Sequence, residues 1–151
     1  MMSLQEISDR LEIQDLFARY SYAIDRRNWD ELDQVFTPDA RIDYSETGGA
    51  AGSFAQIKAW LPTALKRFPV YQHMVATTKI ELVGDHATSR TILFNPMVYE
   101  ADGKRDVFFV GLWYRDQLVR TPGGWRIAER YEEMAYTHNA PDMPAAPTIA
   151  D

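Results

Sequence analysis

The chain reads as a single α+β domain in which a strongly curved, mostly antiparallel sheet carries about three helices on its concave side. Three observations predict this. Helical patterning fills the first third of the sequence; four long extended runs rich in Thr, Val, Ile and aromatics fill the rest; and short turn signals separate those runs. Helices that precede a sheet cover one of its faces, and a curved sheet closed in that way leaves a conical hollow lined by the first helix and the strands.

From Leu4 to Ile24 there is no Gly or Pro. Two stripes run through this stretch at helical spacing: Ile13, Phe17, Tyr20 and Ile24 form one, and Ile7, Leu11, Ala18, Tyr22 and Asp25 the other. Both are expected to look inward, the second turning polar at its end with Tyr22 and Asp25. Asn28 with Glu31 three residues later predicts a capping box for a short second helix, with Leu32, Val35 and Phe36 on its inner face. Thr37-Pro38-Asp39 is expected to stop it. Ala40–Tyr44 then reads as a strand and Glu46–Ser53 as a loop. A third helix is predicted from Ser53 or Phe54 to about Phe68 on Phe54, Ile57, Leu61 and Leu65, bent or split by Pro62.

Tyr71–Val83, His86–Tyr99, Asp106–Arg120 and Trp125–Tyr136 are the strand runs, separated by Gly84-Asp85, Ala101-Asp102-Gly103 and Thr121-Pro122-Gly123-Gly124. Pro96 within the second run predicts an edge or a bulge. Residues 1–139 form the domain, and 140–151, with three prolines, form a loose or clasping tail.

At 151 residues the chain is long enough to bury roughly 70% of its unfolded surface without staples. It has no cysteine, which excludes thiolate chemistry and Cys-based zinc sites and fits a reducing, cytoplasmic setting. Neither a signal-like N-terminus nor an 18-residue apolar run is present, so no membrane association is expected. Sixteen basic residues stand against 22 acidic ones, and no basic run exceeds Arg26-Arg27. Nucleic acid is excluded as a partner on that ground. Four Trp and eight Tyr suit the lining of a small-molecule pocket.

No phosphate loop, serine elbow or metal-spaced cluster appears. Neither a metal nor an organic cofactor is expected. Asp25 sits near a helix C-terminus, where the macrodipole disfavours a carboxylate, and so calls for a compensating partner. His73 stands at the mouth of a strand. His86, beside a turn, and His138, in the tail, read as bystanders, and Glu132-Glu133 as a charged strand end. Tyr20, Tyr22, Tyr44, Trp60 and Met74 are candidates for substrate contact. So are Asn95, Met97, Phe108, Val110 and Trp113, although each also suits ordinary core packing. Along Asp106–Arg120, both alternating faces are apolar, which predicts cover on two sides and, with it, a homo-oligomer.

Ile13-Gln14-Asp15-Leu16-Phe17-Ala18-Arg19-Tyr20, Ala23-Ile24-Asp25-Arg26-Arg27-Asn28-Trp29-Asp30 and Val35-Phe36-Thr37-Pro38-Asp39-Ala40 resemble the opening of SnoaL-like proteins of the nuclear transport factor 2 superfamily. Tyr114–Thr121 with Gly124-Trp125-Arg126-Ile127 and Arg130 resembles their closing hairpin. The likeness covers about residues 5–135. It implies a cone-shaped α+β barrel, in dimers or trimers, working without cofactor. The nearest members are of the scytalone dehydratase and hexachlorocyclohexane dehydrochlorinase type, where a His-Asp pair abstracts a proton. His73 and Asp25 occupy the matching positions and are thereby assigned as catalytic. Tyr44 matches a dehydratase tyrosine that orients a water. Two positions depart from the pattern: a second pocket histidine is lacking between Ile92 and Tyr99, where Asn95 is the nearest polar residue, and Tyr20 stands near the place of a dehydrochlorinase lysine. The resemblance implies a lyase, either dehydratase or dehydrohalogenase, or an isomerase, acting on a small hydrophobic cyclic or aromatic molecule. It also leaves open a binding protein and a structural subunit similar to the dioxygenase small chain.

Overall fold

The computed structural model describes residues 1–149. Helix α1 spans Leu4–Asp25, and its start is fixed by a capping box in which Ser3 and Glu6 exchange hydrogen bonds. Of its two apolar stripes only the first is buried: Ile13, Phe17, Tyr20 and Ile24 are all 2% exposed or less, joined by Leu16 and Ala23. Ile7, Leu11 and Tyr22 lie in solvent, so the inward orientation expected of the second stripe is not found. The helix ends in a Schellman turn. Arg27 takes a left-handed φ of 58°, its N–H donating to Ile24 and that of Asn28 to Ala23. The Arg27 guanidinium then donates to the carbonyls of Leu65 and Phe68, tying the helix end to a distant segment.

The second helix is a single 3₁₀ stretch, Trp29–Gln34, without the predicted cap: the Asn28 side chain donates to the Glu31 carboxylate and accepts no backbone N–H. Strand β1, Phe36–Asp43, continues past Thr37-Pro38-Asp39, where its pairing with the last strand is interrupted by an irregularity between Phe36 and Arg41, and β2, Ala51–Ser53, forms inside the predicted loop. Ser53 and Gln56 make a second capping box for α2, Phe54–Ala64. Pro62 lies one turn from the end of α2, and the chain passes into a 3₁₀ turn at Leu65–Arg67. Lys58 anchors α2 to the earlier 3₁₀ stretch through Asp30 and Asp33, at 3.0 and 2.8 Å.

Strands β3 (Met74–Val83), β4 (His86–Ala101), β5 (Lys104–Thr121) and β6 (Gly124–His138) are the long hairpins expected. The sheet order is β2-β1-β6-β5-β4-β3, antiparallel except for the parallel β1–β6 pair. Pro96 lies beyond the end of β3, where Gln72 and Val70 replace that strand, and the bulge falls on β3 between Val75 and Thr78 instead.

Two further bulges lie on β6. Gln117 and Leu118 face Glu129 and Ile127, leaving Ala128 as an extra residue, and Gly111 and Leu112 face Tyr136 and Met134, leaving Ala135. The first changes which residues look inward: Trp125 and Ile127 are buried before it, Arg130 and Glu132 after it. The curved sheet wraps α1, and α2 caps the open end. No helix among the described residues is long and apolar enough to cross a membrane.

Candidate active site

A cavity of about 160 Å³ opens between α1, α2 and the concave face of the sheet. Eight of the residues expected at the site line it: Tyr20, Tyr44, Trp60, His73, Asn95, Met97, Phe108 and Val110. Tyr22, Met74 and Trp113 do not. Tyr22 is 59% exposed under the Arg26 guanidinium, Met74 is 52% exposed at the outer end of β3, and Trp113 sits on the far face of β5 beneath Arg90. Trp113 follows from strict alternation, since its neighbours Leu112 and Tyr114 take the inward positions. His86 and His138 are exposed.

Asp25 lies behind His73, at the edge of the cavity. Its carboxylate is 2.6 Å from His73 Nδ1 and also accepts the His73 backbone N–H at 3.0 and 3.2 Å. A carboxylate in this position accepts a hydrogen from Nδ1, which makes Nε2 the acceptor nitrogen of a neutral ring. The imidazole is wedged edge-on between Tyr20 and Tyr71, with ring centres 6.1 and 5.9 Å away. Tyr71 donates to the Ile24 carbonyl at 3.0 Å, and burial pushes its hydroxyl up to about 12. These contacts fix both ends of the pair to the Schellman turn.

Deeper in, the Tyr20 and Tyr44 hydroxyls are 2.9 Å apart. Burial raises both above the usual phenol value, so each stays a neutral donor. Behind them Arg130, fully buried, forms a two-pronged pair with Asp116 at 2.8 Å and lies 4.2 and 3.9 Å from the ring centres of Tyr20 and Tyr114. Burial opposes its charge, but Asp116 outweighs burial and holds the guanidinium protonated. Asn95 donates to the Gln72 carbonyl at 2.8 Å and lines the same cavity as His73.

Glu132, expected as a charged strand end, lines the cavity and is 9% exposed. Its carboxyl is hydrogen-bonded to Thr47, whose turn is brought onto β6 by Glu46 accepting the Met134 N–H at 2.8 Å. Gly49 allows this approach: a Cβ there would stand 2.7 Å from the Tyr44 Cβ. Burial pushes Glu132 up to about 7 despite Thr47 and Arg130. Residues of the tail complete the wall. Met143 and Ala146 face the cavity, Trp60 donates to the Pro147 carbonyl at 2.6 Å, and Arg67 donates to the Pro144 carbonyl. Positions 150 and 151 of the predicted tail lie outside the described residues.

A larger hollow of about 860 Å³ lies on the other side of the sheet, among charges of both signs such as Arg41, Lys79, Glu81 and Glu129. None of the expected site residues lines it. Among the described residues, no group of three or more His, Asp or Glu is gathered for a metal ion.

A profile described as a SnoaL-like domain matches residues 5–131. An uncharacterized protein of Mycobacterium tuberculosis (strain H37Rv) is 54% identical over 136 residues, covering 90% of this chain and 92% of its own. Among solved structures, a candidate scytalone dehydratase from Novosphingobium aromaticivorans superposes with a TM-score of 0.82 at 22% identity, covering 99% of both chains. A hexachlorocyclohexane dehydrochlorinase from Novosphingobium barchaimii superposes with a TM-score of 0.75 at 17% identity, covering 95% of this chain and 98% of its own.

Proposed function

The chain belongs to the SnoaL-like domain family, and we propose that within it the protein is a lyase or isomerase that needs no cofactor and acts on a small, mostly apolar cyclic or aromatic molecule. One observation carries this reading: Asp25 and His73 Nδ1 meet at 2.6 Å while His73 also lines a largely apolar cavity. His73 Nε2 is the base, removing a proton from carbon next to an activating carbonyl. Asp25 fixes the tautomer and balances the imidazolium that forms. In the Tyr20–Tyr44 pair one hydroxyl donates to the other, whose own hydrogen donates to the carbonyl oxygen as negative charge gathers there. The apolar wall of Trp60, Met97, Phe108 and Val110 takes the ring of the substrate and keeps bulk water away from the exchange of protons.

The test is exchange of the α-hydrogens of small cyclic ketones in deuterated water, followed by NMR. The wild type should accelerate exchange and His73→Gln should lose it while keeping a cooperative melt. Equal exchange by both proteins refutes the base. Ketone binding without accelerated exchange would make the protein a carrier of such molecules.

A further inference from the structure

Glu132 is a buried acid that the His73 mechanism does not use. It lines the same cavity as His73, together with the hydrogen-bonded Tyr20–Tyr44 pair. From this juxtaposition we infer that Glu132 is the proton donor of the site, delivering its carboxyl hydrogen to an oxygen that leaves the substrate, and that the substrate is a hydroxylated carbonyl compound that loses water.

The surroundings of the carboxyl support a neutral acid. An ionised carboxylate at so dry a site needs a cation or several donors. The nearest candidate, Arg130, gives Nε and Nη2 to Asp116 and makes no hydrogen bond to Glu132 through its remaining Nη1, and the Thr47 hydroxyl is the hydrogen-bond partner of the Glu132 carboxyl among the described residues. A hydroxyl can accept from a carboxylic acid as readily as donate to a carboxylate. Thr47 can therefore hold the acid's hydrogen until a stronger acceptor enters the cavity. Burial, which pushes this group up to about 7, acts in the same sense.

Such a donor matters only for certain leaving groups. Chloride departs as a stable anion. Hydroxide does not, and an acid that protonates it removes most of the difficulty. This assignment rests on the role of His73 proposed above. His73 Nε2 takes the α-hydrogen, and the C–H electrons pass into an enolate held by the tyrosine pair. The enolate then re-forms the carbonyl with a new carbon–carbon double bond, the C–O bond breaks toward oxygen, and that oxygen takes the Glu132 proton and leaves as water. The imidazolium proton and the Glu132 carboxylate recombine through solvent once the product has left, so the net change is loss of one water.

The experiment uses a panel of small cyclic β-hydroxyketones, beginning with 3-hydroxycyclohexanone, in deuterated water. Two readouts are followed together by NMR: deuterium uptake next to the carbonyl and appearance of the enone. Glu132→Gln keeps the size and neutrality of the side chain and a donor toward Thr47, and an unchanged melting profile verifies that it folds. The expected result is enone formation at least 100-fold slower in Glu132→Gln with α-exchange retained. Retention of dehydration within threefold of wild type, with exchange intact, overturns the role of Glu132 alone. Loss of exchange together with dehydration also overturns it, because the residue then serves the base. Absence of exchange by the wild type across the panel overturns the proposed function, and this inference with it.

Discussion

Asp25 receives two hydrogens from a single residue, His73, one from its ring and one from its backbone. The carboxylate is the last residue of α1, at the negative end of the helix, and these two donors offset that placement. Asp25→Asn keeps the shape but offers an amide, which can turn its own donor toward the ring and favour the Nε2-H tautomer. Nitrogen-resolved NMR of the His73 ring should show that reversal, and turnover should fall by about 10³ to 10⁴. An unchanged tautomer with wild-type turnover would remove Asp25 from the mechanism.

The fully buried Asp116–Arg130 pair supports the floor of the cavity. Removing one partner leaves the other charge without solvent or counter-charge. Asp116→Ala should therefore cost about 3–5 kcal/mol in urea unfolding. The double replacement Asp116→Leu with Arg130→Met should recover much of the loss, because it removes both charges. A loss under 1 kcal/mol in the single variant would mean that Arg130 finds water.

Stability should depend on pH through Glu132. Folding raises this carboxyl from an ordinary 4.5 to about 7, so between these values the native state holds a proton that the unfolded chain has released. The stabilisation is complete below pH 4.5 and is lost as pH rises through about 7. The gap corresponds to about 3 kcal/mol. Urea unfolding from pH 4.5 to 8 should show the wild type losing stability relative to Glu132→Gln by about that amount as pH rises. Parallel curves would place the ionised form in the fold.

The tail closes the cavity with Met143 and Ala146 and is held by the Trp60 and Arg67 hydrogen bonds. Deleting residues 142–151 should bare the apolar wall and raise binding of an environment-sensitive apolar dye, with a loss of about 1–3 kcal/mol in stability. Trp60→Phe alone, which removes one hydrogen bond, should cost about 1 kcal/mol. Dye binding equal to that of the intact chain would mean the cavity is covered by other residues.

Helices before strands, apolar periodicity and turn signals were enough for the α+β class, the four long strands and the buried stripe of Ile13, Phe17, Tyr20 and Ile24. Those features depend on near neighbours in the chain, and near neighbours are what a sequence displays. Tyr22 and Met74 were misplaced because an apolar residue at the edge of a stripe can face either way until a partner surface is present.

Glu132 and Arg130 were hidden for a sharper reason. Alternation counted from Ile127 puts 129, 131 and 133 inward, and the extra residue at Ala128 shifts the count by one. A bulge is set by pairing with the opposite strand, which only the folded sheet supplies. The likeness to SnoaL-like proteins marked Asp25 and His73 as a pair. Their separation of 2.6 Å, and the buried acid that lines the same cavity as His73, were decided by the curvature that brings a helix end, a strand mouth and a bulged strand to one hollow.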